Sequence, residues 1–230
     1  VDTLRSTKGR SYSACPSVAD WERAFGEDDD VLAFTITSGL SGSFRAACAA
    51  KLNCEENSPS RRICIIDSLS TGPEIVLLIE KAVSELSAGA DFDAVCRSVQ
   101  DYQRRTHLIF ALESLHNLAQ NGRVGKLAAA AAGMLGIRAV GTTSDEGTLD
   151  LLGKCRGRKR TVDFLQEEME RLGYTGGCVR IGHCRNTDST GELRTAILHR
   201  FPGANIRIYT LRGLCSYYAE CGGVLVGFEA

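Results

Sequence analysis

Short runs of consecutive apolar, β-forming residues alternate along this chain with longer segments whose apolar positions recur every three or four residues. In the first half, VLAFTIT (31–37) and RICIID (62–67) read as strands. Between and after them, SFRAACAAKL (43–52), a segment from Pro73 to Ser87, and DFDAVCRSVQDYQRRT with Asp91 as its cap read as helices. A shorter helix precedes them, with Ser17 as cap and Val18, Trp21 and Phe25 at helical spacing. Unbroken apolar strands separated by helices predict a parallel sheet covered on both faces.

The rhythm changes after residue 105. HLIFALES (107–114) reads as a strand, and the stretch around 114–133 as helices. IRAVGTTSDEGTLDLLGKC reads as two strands joined by the turn SDEG. The helix RKRTVDFLQEEMERLG stops at Gly173, and three strands follow, GCVRIGHC, NIRIYTL and GGVLVGFE, with the helix GELRTAILHRF among them. Hairpin-joined strands predict a mixed or antiparallel sheet. The expected fold class is therefore α/β with two domains. Residues 1–105 form a Rossmann-like parallel-sheet domain and residues 106–230 an α+β domain, divided near Arg105 and Thr106.

Charge narrows the partners. The 230 residues carry 27 basic and 28 acidic side chains, well mixed, for a net charge of −1. Neither nucleic acid nor an anionic membrane surface is expected as a partner. The longest apolar stretch, LAAAAAGMLGIRAVG, is too short to span a bilayer and is broken by Arg138. No signal-peptide pattern opens the sequence, so a soluble, cytoplasmic protein is expected. The ten cysteines never form a CxxC pair. They are expected to be reduced thiols packed as small hydrophobes, with no metal site and no cofactor.

The most chemical stretch is TSGLSGS (37–43), a glycine-containing, hydroxyl-rich loop joining a strand to a helix. Open α/β sheets place ligands at this position, and the N–H groups that begin the helix favour an anion. The same residues also fit a plain helix cap. No GK[ST] follows the loop, and its glycines do not match the GxSxG nucleophile elbow. A hydrolase would need His107, His116, His183 or His199 beside that serine, and His183 reads rather as a packing residue. KCRGRKR (154–160) is a basic cluster offset by the acidic helix behind it, suited to a solvated helix start or to docking. NGRVGK, with Arg123 between Gly122 and Gly125, admits close packing of a helix or of a long apolar ligand.

Taken in order, SACPS (13–17), TSGLSGSFRAA (37–47), IIDS (65–68), LHNLAQNGRVGKLAAAAAGMLGIRAV (115–140), GKCRGRK and GGVLVGFE resemble the DegV family. They are similar to its TSQPS, SSGLSGTY, DS, L..L.KGGRI, K.R..K and C-terminal glycine-rich segments, over nearly the whole chain from Ser13. The resemblance implies a two-domain, non-catalytic carrier that buries the tail of one long-chain fatty acid and holds its carboxylate with hydroxyls between the domains; a monomer is expected rather than an oligomer. It also implies presentation of that carboxylate to a separate fatty-acid kinase. Carried over residue by residue, the head-group positions are Ser13, Thr37, Ser38, Ser41 and Gly42. Arg123, Lys154 and Arg156 are the positions expected to dock the partner. Two departures stand out. Ala219, in YYAECGG, falls where the family has the His of HTGPG, leaving Tyr217 or Tyr218 to supply a hydroxyl. Only twelve residues precede Ser13, so either the chain is truncated or the family's first strand is missing. Two other readings remain from the residues themselves: an enzyme subunit handling a small metabolite or phosphate, and a regulatory domain with a degenerated lipid site.

Overall fold

The computed structural model describes residues 11–27, 30–128 and 136–230. The first half is a three-layer unit. Strands β1 (Asp30–Thr35) and β2 (Arg62–Asp67) pair in parallel, Val31 opposite Ile63 and Thr35 opposite Asp67. Helices α1 (Val18–Phe25) and α2 (Ser43–Asn57) cover one face, where Phe25, Ala47 and Ala50 meet Ala33 and Ile63. Helices α3 (Pro73–Ser87) and α4 (Phe92–Gln103) cover the other, where Leu77, Leu78, Val95 and Val99 meet Ile66. Local chemistry sets the ends of these helices. Ser17 and Asp20 form a reciprocal capping box on α1, Pro73 opens α3, and the Asp91 carboxylate accepts the Ala94 N–H at 3.0 Å to start α4.

The second half is a six-stranded sheet of order β5-β4-β3-β8-β6-β7. Its strands are β3 (Thr106–Leu112), β4 (Ile137–Thr143), β5 (Leu149–Arg156), β6 (Cys178–His183), β7 (Asn205–Thr210) and β8 (Val224–Glu229). All neighbours are antiparallel except β6 and β7, so the sheet is mixed, as the hairpin pattern led one to expect. Alternation puts Ile109, Ala111, Val179, Ile181, Val226 and Phe228 on one face, packed under α6 (Arg158–Arg171) and α7 (Thr187–Arg200). Leu108, Phe110, Leu112 and Leu225 point to the opposite face, toward the first half. Two short helices, α5 (His116–Gln120) and α8 (Gly213–Ala219), border that face.

The strands of the two sheets part between Asp67 and Thr106, but packing does not. Helix α3 lies against β8 and β6 of the larger sheet. A Cβ on Gly227 would stand 2.5 Å from the Glu74 backbone nitrogen, so this glycine lets the start of α3 rest directly on the sheet. Further along α3, Glu80 Oε2 accepts from Arg180 Nε at 2.8 Å, and its Oε1 accepts from Arg207 at 2.9 Å. From α4, the Tyr102 hydroxyl donates to Glu229 at 2.6 Å.

Two elements differ from the sequence reading. Helix α7 starts at Thr187, before the expected Gly191, because the Asn186 side chain accepts the Ser189 N–H at 3.3 Å and caps it earlier. Helix α8 was not anticipated, its seven residues being too few for a helical period to show. The expected helices of 114–133 are present as α5 and a 3₁₀ turn at Gly125–Leu127. Residues 129–133 of that stretch lie outside the described residues.

Glu74 is 4% exposed, with Oε1 accepting from Thr106 Oγ1 at 2.7 Å, and burial pushes its carboxyl above the usual carboxylate range. An acid whose folded pKa is raised holds its proton more tightly in the fold. Its contribution is complete below the unfolded pKa and is lost as pH rises toward the folded one. Glu74→Gln keeps the acceptor for Thr106 and removes the titration. Thermal melts between about pH 4 and 9 should show the variant gaining on the parent as pH rises. Melting curves that stay parallel across that range would contradict a buried neutral acid.

Candidate lipid site

The loops that follow β1 and β2 are stitched together. Thr37 N–H donates to Ser70 O at 2.8 Å, and Asp67 Oδ1 accepts the N–H groups of Ser38 at 3.0 Å and Leu69 at 3.2 Å. The tip of the β4–β5 hairpin then closes on both loops. Ser144 and Gly147 form its turn, and Thr37 Oγ1 donates across the molecule to Gly147 O at 2.8 Å while accepting the Gly39 N–H at 3.0 Å. Gly147 has φ +72°, and a Cβ there would run into the Thr37 hydroxyl.

Behind this clasp lies a cavity of about 400 Å³, a size usual for small-ligand sites. The larger sheet supplies an apolar wall of Leu108, Phe110, Leu112 and Leu225, completed by Phe34, Ile36, Leu118 and Leu149. Polar groups gather where α2 begins: Thr37, Ser41, Gly42 and Ser43, with Ser13, Arg123 and Tyr218. Gly42 offers the 15-residue helix α2 no side-chain cap, so apart from the Ser43 N–H, which Ser41 Oγ accepts, its first-turn N–H groups are left for an anion. A more open cleft of about 630 Å³, lined by polar groups including Asp67, Glu74, Gln103 and His107, lies elsewhere and has no comparable apolar wall.

Hydrogen bonding sorts the expected head-group residues. Thr37 is in the wall and fully buried, but its hydroxyl proton is committed to Gly147. Ser38 is absent from the wall, since Asp67 holds its backbone elsewhere. Ser41 Oγ accepts the Ser43 N–H at 3.2 Å and keeps its own proton to donate. Ser13 Oγ and the Tyr218 hydroxyl are 2.5 Å apart, so the pair keeps one proton for a ligand. Tyr217 serves differently, its hydroxyl donating to Ser11 O at 2.8 Å and accepting from Asn121 at 2.9 Å, which straps the segment before Ser13 to α8. Ala219 sits in the wall and is 3% exposed. Arg123, expected on a docking face, instead lines the cavity. It donates to Leu40 O and Asn121 O, and no carboxylate pairs with it among the described residues. Lys154 and Arg156 are exposed on β5, away from the cavity.

Two groups in the wall stand outside the expected head-group set, although Ser43 belongs to the hydroxyl-rich loop TSGLSGS. Ser43 is 7% exposed, and among the described residues its hydroxyl has no protein partner. Its position directly after Gly42, as the first residue of α2, was the available signal. Trp21 Nε1 is likewise buried in the wall without a partner.

The competing chemistries find less. None of the four histidines lines the cavity. His183 Nδ1 accepts the Asn186 N–H at 3.2 Å, and burial pushes the imidazole below its usual range. Among the described residues, no three His, Cys, Asp or Glu side chains are grouped to hold a metal, and no helix is long and apolar enough to cross a membrane. Among the described residues, none of the ten cysteines is joined in a disulfide.

If the Thr37 clasp holds the loop, Gly147→Ala should lose about 1–3 kcal/mol in urea unfolding, the range for a strained, overpacked backbone position. A loss under about 0.5 kcal/mol, typical of an indifferent surface change, would contradict the clasp.

Known proteins bring the geometry into focus. A family model described as "Uncharacterised protein, DegV family" matches residues 1–229. A DegV domain-containing protein of Streptococcus pneumoniae is 41% identical over 229 residues, covering 100% of this chain and 82% of that protein. The structure of a DegV family protein from Eubacterium eligens, loaded with heptadecanoic acid, superposes with a TM-score of 0.95 at 41% identity, covering 100% of this chain and 83% of that one. The Fatty Acid Kinase (Fak) B3 protein of Streptococcus pneumoniae, loaded with linoleic acid, superposes with a TM-score of 0.96 at 41% identity, covering 99% and 81%. With its fold matched and residues 1–229 covered by the family model, this chain belongs to the DegV family.

Proposed function

We propose that this protein binds one long-chain fatty acid in the cavity between its two halves, as a carrier rather than a catalyst. The observation that carries the reading is a single cavity with an apolar wall on one side and free hydroxyl donors at a helix N-terminus on the other. Each buried methylene contributes about 0.8 kcal/mol, so the tail supplies affinity. The carboxylate supplies orientation through charge-assisted hydrogen bonds.

In this reading Ser41, Ser43 and the Ser13–Tyr218 pair donate to the carboxylate. Arg123 provides the nearby positive charge, and Gly42 lets the head group approach the start of α2. Thr37 shapes the loop without donating to the ligand, and Ser38 takes no part. Tyr218 thus fills in for the histidine that Ala219 replaces. We take residues up to Arg105 and from Thr106 onward as the two domains that enclose the ligand. The protein acts as a monomer in the cytoplasm and presents the head group to a separate fatty-acid kinase docked on the Lys154 and Arg156 face. The two lipid-loaded relatives support the ligand, and the kinase-named one supports the partner.

Hydrogen bonds to a charged group contribute about 1.5–3 kcal/mol each. Stripped protein should therefore bind hexadecanoic acid, and Ser43→Ala should weaken binding about tenfold or more. Ser38→Ala should change it by less than about twofold. The reverse ranking, measured by isothermal titration, would overturn the head-group assignment. Absence of binding by the parent protein would overturn the function.

A further inference from the structure

The head-group end of the cavity contains a thiol that fatty-acid binding does not use. Cys15 is the one exposed cysteine among the ten, and it lines the cavity on the strap held by Ser13 and Tyr218. A Cβ placed on Gly42 would stand 3.3 Å from Cys15 Sγ, so the sulfur lies over the residue that caps α2. The residue after Gly42 is Ser43, more than nine-tenths buried, lining the same cavity and with a hydroxyl that has no protein partner among the described residues. Two independent features therefore meet at Gly42: a donor that awaits an oxygen and a nucleophile above it. Cys215 also lines the cavity, but its thiol rests 3.6 Å from Thr71 Oγ1, and burial makes it harder to ionise.

We propose that Cys15 accepts the acyl group of an acyl phosphate bound in this cavity, forming an S-acyl thioester. The inference rests on the fatty-acid reading above, since it requires the acyl chain to lie with its head group at α2. Donors at Ser41 and Ser43 that orient a carboxylate also stabilise the oxyanion formed when a carbonyl is attacked. Cys15 Sγ gives its proton to solvent and forms a bond to the acyl carbonyl carbon. The bond from that carbon to the phosphate oxygen breaks, and inorganic phosphate leaves past Arg123. Nothing is oxidised or reduced. The protein would thereby hold an activated acyl group in a form suited to transfer onto another thiol or an alcohol.

The test treats the full chain with synthetic hexadecanoyl phosphate and follows intact mass, with hexadecanoic acid binding measured in parallel. The expected result is a gain of one acyl group, mapped to Cys15 and released by neutral hydroxylamine. Filling the cavity beforehand with hexadecanoic acid should slow it at least about tenfold, and Cys15→Ala should abolish it. Binding of the free acid without a Cys15 adduct overturns this inference alone. Acylation spread over other residues, or unaffected by the free acid, overturns it too. Failure to bind the free acid overturns both it and the reading beneath it.

Discussion

One hydrogen bond across the molecule organises the site, from the Thr37 hydroxyl to the Gly147 carbonyl. It joins the loop after β1 to the tip of a hairpin from the other sheet, so the two halves are fixed where a ligand would enter between them. Committing that proton also redistributes the chemistry of the loop. Thr37 can no longer donate to an anion, and Asp67 draws the Ser38 backbone aside. What faces the cavity is the next turn of chain, Ser41 through Ser43, at the uncapped start of α2. The residues nearest the strand set the geometry, and those nearest the helix are left for binding.

The same division holds on the opposite side of the cavity. Gly227 lets α3 rest on β8, and the buried Arg180 with Glu80 holds the rest of that helix to the sheet. With α3 anchored, Leu108, Phe110, Leu112 and Leu225 remain uncovered by it and form the apolar wall. The strap before α1 closes the polar end through hydroxyl contacts with Tyr217 and Tyr218. A mostly apolar cavity with a few donors gathered at one end suits an amphiphile with an acidic head better than it suits a compact phosphate.

Much of the frame was legible in the sequence because its signals are local. RICIID and Pro73 to Ser87 fold over the residues expected of them, and the Ser17 and Asp91 caps are where side-chain chemistry puts them. The hairpin around SDEG and the mixed sheet followed from the strand pattern. The site was legible only in part. A hydroxyl in TSGLSGS reads the same whether its proton is free or committed, and that depends on Gly147, 110 residues away from Thr37. The same limit hid the role of Arg123, whose place in the cavity wall depends on contacts with Leu40 and Asn121. Tyr218 was a candidate beside Tyr217, and only the partner of each hydroxyl separates them.

Everything at the polar end of the cavity depends on which loop residues hold the acyl head group. A crystal structure of this protein with hexadecanoic acid tests that directly. It should place the carboxylate oxygens about 2.5–2.9 Å from the Ser43 and Ser41 hydroxyls, with the Thr37 bond to Gly147 intact. A carboxylate bound by Ser38, or by Thr37 with that bond broken, would contradict it.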